Sequence, residues 1–587
     1  MLHQNKSWEN ALVMAPAVIW LAVIAVFSVD IPWFDDFDPF ADFLRKWTRA
    51  GSLSEKTRLL FQPNNEHRMV PAKLLTLLYF WISGKLNFVF LQACGACFTL
   101  ATFWLLYRMF RKLNLASIYF LPVSLLLFQF QFYLIFLWSI CSLQHQTSVF
   151  FMVAAMYLLA NRKFSWAIAA AFCANYSFGS GMFVWPAGFI VLLLRHDWKP
   201  LVIWSLAGAT GIFFYLHGMP AQGNDSGIAY FIEHPYMPLL GIPAFLGGLF
   251  DLFAKSNPIT FRTALPVAAG TAMIGFALAW YSGLVLPFLQ TYLKGLIKIP
   301  AVVLRIKKQL ETDRVYTDFV TGILSFSFVN GIIIGFLRPR FGFDVLMVSN
   351  YKLYPALFMI GCYLALLALR LKRPVFLSTF RAITVVSAAI WLLSAFYQLP
   401  HIAERRKYLL INAYNQEHNA FGLGFEKGSA AGKYTDTLVK DLARADIYHF
   451  PDTYAGYFEL MKTTQAVFDS QAVSLRTESD QVNFHLFLEN SPYKLRFNDG
   501  FYAFVRHNGE IELFKFEQSA YQGKNRLRQF ERVKHTALPL DLVKNRAAQI
   551  GILQLEAGKV TCGLISDEAV KQALNKDVNE NSIFAKK

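Results

Sequence analysis

Apolar runs of about 15 to 25 residues recur along the chain as far as Leu399. Runs of that length can cross a hydrocarbon core of roughly 30 Å, and they can do so only as helices, because each backbone amide must find its partner inside the segment. Residues 1–399 therefore read as a polytopic helical membrane domain. The composition agrees, with 55% hydrophobic residues against 16% charged and 57 Phe in 587 residues. The mean hydropathy of +0.36 lies far from that of a soluble globular chain.

Charge is unevenly placed. The formal net charge of +17 would suggest nucleic acid in a soluble protein, but residues 400–587 hold 25 Lys+Arg against 23 Asp+Glu. The apolar part thus holds 31 basic and 16 acidic residues. Many of the basic ones bunch between apolar runs, the pattern of loops that face an anionic cytoplasmic leaflet. No basic and aromatic face suited to nucleic acid is present.

Taken in order, the spans are predicted at 11–29, 88–107, 117–138, 146–160, 164–178, 182–194, 200–217, 264–288, 319–337, 353–370 and 375–397, about eleven crossings. Basic groups such as Arg108, Arg111, Lys112, Arg162, Lys163, Arg195 and Arg370 then fall on the inner side. A polar loop with Asn224, Asp225, Glu233 and His234 falls outside. The apolar segment 69–82 is short, interrupted by Lys73, and reads as an interfacial or re-entrant helix. Residues 237–254, rich in Gly and Pro, suit a broken helix lining a cavity. The stretch from Lys294 to Arg314 suits an amphipathic helix on the inner leaflet. Cys94 and Cys97 form a CxxC inside an apolar run without partner ligands, which favours helix packing.

From Pro400 onward the chain is ordinary in charge and turn content and holds no span. YTDTLVKDLARADI reads as an amphipathic helix and DEAVKQALNKDV as a final one, while FYAFVRHNGEIELFKF alternates like strands around an Asn508-Gly509 turn. The fold class is an all-α polytopic membrane domain (1–399) followed by a small extracytoplasmic α+β domain (400–587).

The chemistry gathers in the first outer loop, 30–68. Before Pro400 there are sixteen Asp or Glu residues, and seven of them are Asp30, Asp35, Asp36, Asp38, Asp42, Glu55 and Glu66. Asp35 and Asp36 follow an aromatic segment at the water–lipid boundary, where partial burial and nearby cations can tune a carboxylate as a base. The bland alternative is a solvated acidic loop. His67 and Arg68 lie where the chain re-enters the apolar phase. Arg68 could hold a phosphate bidentately and His67 could relay a proton, or both could simply anchor a helix end. Arg338, Arg340, Tyr351 and Lys352 form a second outer cluster that runs against the positive-inside tendency, and ordinary headgroup contacts compete with anion binding as its purpose. His145 and Gln146 favour packing or capping. The acidic loop could hold a hard cation through oxygen ligands, but nothing in the sequence requires a metal or another cofactor.

WFDDFD, NEHR, SFGSGMFVWP and RPRFGF…SNYK together resemble the GT-C superfamily of polytopic membrane glycosyltransferases, in particular bacterial members that decorate surface polysaccharide. The resemblance covers residues 1–400. The late segment has Asn350-Tyr351-Lys352 where Ser-Arg-Tyr would stand, with Lys352 as the available charge. The resemblance implies a cytoplasmic (inner) membrane enzyme that takes a sugar from a polyprenyl-phosphate donor to a glycan or lipid acceptor outside, with inversion. It implies Asp35 or Asp36 as general base. Arg68, Arg340 and Lys352 would stabilise the phosphate leaving group, with Asp38, Glu66, His67 and Tyr351 around the substrates. A lipid-linked sugar flippase and a non-catalytic polysaccharide assembly protein are the competing readings.

Overall fold

The computed structural model describes residues 7–219, 227–252, 259–293, 299–468, 474–523, 525, 527–545 and 548–575. Asn224, Asp225, Lys294 and the end of the last expected helix, 576–578, lie outside the described residues. The chain divides into two compact units. One comprises Met1–Val26, Asp38–Gly84 and Val89–Gln398; the other comprises Phe27–Phe37, Lys85–Phe88 and Leu399–Lys587.

The first unit is helical. Among the described residues, eight helices are long and apolar enough to cross a membrane: Ser7–Phe27, Phe88–Leu113, Ser139–Ala160, Trp198–Leu216, Thr263–Tyr292, Ala301–Leu337, Ser349–Ala368 and Arg373–Asn419. Three of the eleven expected spans differ. The segment 117–138 is broken into Ser117–Phe120, Leu121–Leu127 and Tyr133–Leu137. Its freed backbone is met by side chains of the last long helix: Trp391 Nε1 donates to the Phe128 carbonyl at 2.9 Å, and the Phe130 N–H donates to Ser394 Oγ at 3.2 Å. Such partners are what allow an irregular backbone at membrane depth. The helices Phe164–Ser177 and Val184–Leu194 have 14 and 11 residues. At 1.5 Å per residue they reach only about 21 and 16 Å, short of a full core. The segment after Arg68 forms the helix Val70–Ser83, and the Gly/Pro-rich segment forms Tyr236–Leu246 followed by a short 3₁₀ turn. The expected amphipathic helix forms over Ala301–Leu310.

One end of this unit is tied by charge. Arg162 bonds Asp197 at 2.7 Å, Arg195 meets Asp197 at 2.9 Å and Asp318 at 3.5 Å, and Arg314 meets Asp318 at 2.9 Å. The chain reaches this end at three basic groups that the sequence places on one side. Helices leaving it deliver Phe178, His217 and Arg338 to the opposite end.

The second unit is built on two antiparallel four-stranded sheets. Its strands are β1 (Ser474–Ser479), β2 (Asn483–Glu489), β3 (Gly500–His507), β4 (Glu510–Lys515), β5 (Glu517–Ala520), β6 (Phe530–Pro539), β7 (Gln549–Glu556) and β8 (Lys559–Leu564), ordered β1-β2-β6-β5 and β4-β3-β7-β8. Alternate residues Phe484, Leu486 and Leu488 of β2 share one core with Ala503 and Val505 of β3 and Ile550 and Ile552 of β7. That is the period-two pattern of strands buried on one face. The β3–β4 hairpin turns at Asn508 and Gly509, whose φ angles of 48° and 85° suit the turn that this dipeptide favours. The helices Ala430–Arg444 and Asp567–Asn575 complete it. Residues 27–37 group with these sheets and not with the helical unit. Phe34 N–H donates to the Leu423 carbonyl at 2.9 Å, and the Arg405 guanidinium lies 4.4 Å from the Trp33 ring centre.

Candidate functional site

The seven carboxylates of the first loop divide between the two units. Asp30 accepts from Asn87 Nδ2 at 2.9 Å and the Phe88 N–H at 2.6 Å, and burial raises its carboxyl to about 6. Asp36 is buried, and its Oδ2 accepts the Trp33 N–H at 3.0 Å, which closes the 3₁₀ turn Phe34–Asp36. Asp35 is half-buried on the same turn. These three belong to the sheet unit. In the helical unit Asp38 is exposed, whereas Asp42 holds Arg45 at 2.7 Å and Lys46 at 2.5 Å. Glu55 opens the helix Leu53–Phe61, whose Ser52 cap accepts the Glu55 N–H at 3.1 Å. Most of the acidic loop thus serves local structure.

NEHR is a different matter. Asn64 and His67 exchange both backbone hydrogen bonds, at 2.7 and 3.0 Å, with Asn65 at φ 51° in the tight turn between them. This geometry puts Glu66 at the tip and aims His67 and Arg68 into the helical unit. The Arg68 Nε donates to the Tyr215 carbonyl at 2.7 Å, Nη1 to the Phe61 carbonyl and Nη2 to the His217 carbonyl. Every guanidinium nitrogen of Arg68 is therefore taken by backbone, so Arg68 contributes charge and latches the turn.

His67 packs against the Phe178 ring at 4.3 Å, and His145 packs on the same ring at 4.5 Å. Gly179 lies beside them, and a Cβ there would come within 3.3 Å of the His67 ring. Tyr215 Oη donates to the Glu66 carbonyl at 3.1 Å and lies 3.4 Å from His67 Nδ1. Burial, reinforced by Arg338, lowers the His67 pKa to about 4, so the ring is neutral at pH 7.

His145 Nδ1 lies 2.9 Å from Tyr354 Oη, which lies 2.8 Å from Ser180 Oγ. Tyr351 stands edge-on to His145 at 6.5 Å, and the charges of Glu66 and Arg338 both act on it. Four segments singled out in the sequence (NEHR, SFGSG, LQHQ and SNYK) therefore meet at one end of the helical unit. Arg338 and Arg340 flank the Phe341 ring at 5.8 and 4.6 Å, and Arg338 has no carboxylate partner among the described residues.

Lys352 is turned away from this group. Its Nζ donates to Gln131 Oε1 at 2.9 Å and to the Asp251 carbonyl at 3.1 Å, and pairs with Asp251 Oδ2 at 3.3 Å, all buried. Sequence reasoning gave Lys352 an anion that the structure replaces with Asp251. It gave His145 only packing or capping and named no role for Phe178, Tyr215 or Tyr354. No family model matches the chain, and no match is found among curated proteins or solved structures. Among the described residues no group of three or more His, Cys, Asp or Glu is arranged to hold a metal ion.

Proposed function

We propose that the chain is a membrane glycosyltransferase that moves a sugar from a polyprenyl-phosphate donor to a glycan or lipid acceptor at the outer face of the inner membrane. The observation that carries this reading is the meeting of NEHR, SFGSG, LQHQ and SNYK beside Arg338. It joins neutral hydrogen-bonding rings and hydroxyls to a cation without a carboxylate partner. A phosphate leaving group gains negative charge as the glycosidic bond breaks, and preorganised cations and O–H or N–H donors aimed at that charge lower the barrier. In this reading Arg338 and Tyr351 receive the phosphate and Arg340 adds charge. Neutral His67 and Glu66 orient the sugar, and Ser180 and Tyr354 hold His145 in place. The site end would face outward, since the charged end carries the basic clusters expected on the cytoplasmic side. The resemblance assigns the base to Asp35 or Asp36, which belong to the other unit. Asp35 is the better of the two, because the Asp36 carboxylate is buried in its turn.

The test is the glycan profile of cells carrying the intact chain, a deletion, Arg338→Ala, Asp35→Asn or Asp36→Asn, at matched protein levels. Loss of one sugar in the deletion and in Arg338→Ala supports transfer and identifies the product. An unchanged glycan in all three point variants, with loss only in the deletion, rejects it.

A further inference from the structure

The link between the acidic motif and NEHR folds into two short helices, Phe43–Arg49 and Leu53–Phe61. They bound an open cleft of about 690 Å³ whose lining includes Lys46, Arg49, Arg58, Phe61 and Arg68, with Glu55 as the sole carboxylate. Lys46 shares Asp42 with Arg45, and the Glu55 Oε2 accepts the Gly51 N–H at 3.3 Å. Arg58 has no carboxylate partner among the described residues, and Arg68 is met only by carbonyls. Buried Lys73 adds a further cation behind the cleft, donating to the carbonyls of Leu59 and Gln62 at 3.2 and 2.6 Å. The cleft is therefore electropositive, and its floor is held by cations that cap a helix C-terminus.

Phe61, which lines the cleft, is 41% exposed. Cations beside exposed apolar side chains are the signature of an element lying at a lipid interface. The cleft has room for a phosphodiester headgroup with its glycerol.

We infer that this cleft seats the headgroup phosphate of an anionic phospholipid of the surrounding bilayer, held by Arg49 and Arg58, with the acyl chains leaving past Phe61. The inference does not depend on the reaction the chain performs. It is tested on the full chain purified in a neutral detergent, by native mass spectrometry after titration with phosphatidylglycerol or phosphatidylcholine. The expected result is at least a tenfold preference for phosphatidylglycerol, lost in the Arg49→Gln/Arg58→Gln double variant. Both side chains are exposed, so the variant should match the parent's melting temperature in phosphatidylcholine. Equal retention by parent and variant overturns the inference. So does full displacement by millimolar inorganic phosphate, which would mark a free-anion site. Tighter retention of a polyprenyl phosphate than of phosphatidylglycerol also overturns it, in favour of a substrate entry point.

Discussion

The two ends of the helical unit treat positive charge in opposite ways. At one end Arg162, Arg195 and Arg314 are interleaved with Asp197 and Asp318, each of these three cations matched by a carboxylate within 3.5 Å. At the other, Arg68 meets carbonyl oxygens and Arg338 meets the face of Phe341. A matched network fixes loops and has no appetite for a ligand. Cations met only by dipoles and rings keep their field and can still take up an anion. The contrast marks the second end as the candidate site.

Four substitutions would break or sharpen this contrast. The largest effect is expected at the matched end: Asp318→Asn leaves Arg314 without a carboxylate and Arg195 with Asp197 alone, at a cost of about 3 kcal/mol, the low end for a buried pair. Thermal unfolding in detergent should show it, with activity per folded molecule unchanged. At the other end Arg338→Ala should do the reverse, lowering turnover by about 10²-fold, near 2.7 kcal/mol of barrier, with little change in melting temperature. Third comes acid sensitivity. The folded His67 pKa of about 4 lies below the ordinary 6.5, so the unfolded chain binds the extra proton first. Its contribution is complete above pH 6.5 and is lost as pH falls towards 4, by up to about 3 kcal/mol. His67→Gln should flatten that part of the stability–pH curve; an unaltered curve would reject a buried neutral ring. The smallest effect is Gly179→Ala, whose Cβ would press on the His67 ring at 3.3 Å. A cost of about 1 kcal/mol in stability with a larger loss of activity would show that the ring's position matters more than the packing.

The sequence made the span pattern and the strand–turn–strand of the tail readable, because length, periodicity and Asn-Gly are local signals. It also made the segments NEHR, SFGSG and SNYK stand out, because polar residues are rare in that setting. Their meeting was not readable, since it depends on which helices share an end. The break at 117–138 was hidden for a related reason: Trp391 and Ser394, far along the chain, supply the partners that let the backbone leave the helix. Counting carboxylates in the first loop misled, because Asp36 and Asp42 are answered within a few residues. The Lys and Arg residues of the link between the motifs were given no role, although Lys46, Arg49 and Arg58 line the cleft.

The Arg68 latch has a further consequence. Its three acceptors are main-chain oxygens of Phe61, Tyr215 and His217, and any amino acid can supply such an oxygen. Position 217 can therefore drift freely among related chains while the joint it makes persists. Methods that find neighbours by paired substitutions would see one invariant arginine and no correlated partner. The fastening between the NEHR turn and the end of Trp198–Leu216 would be silent in the evolutionary record and visible only in three dimensions.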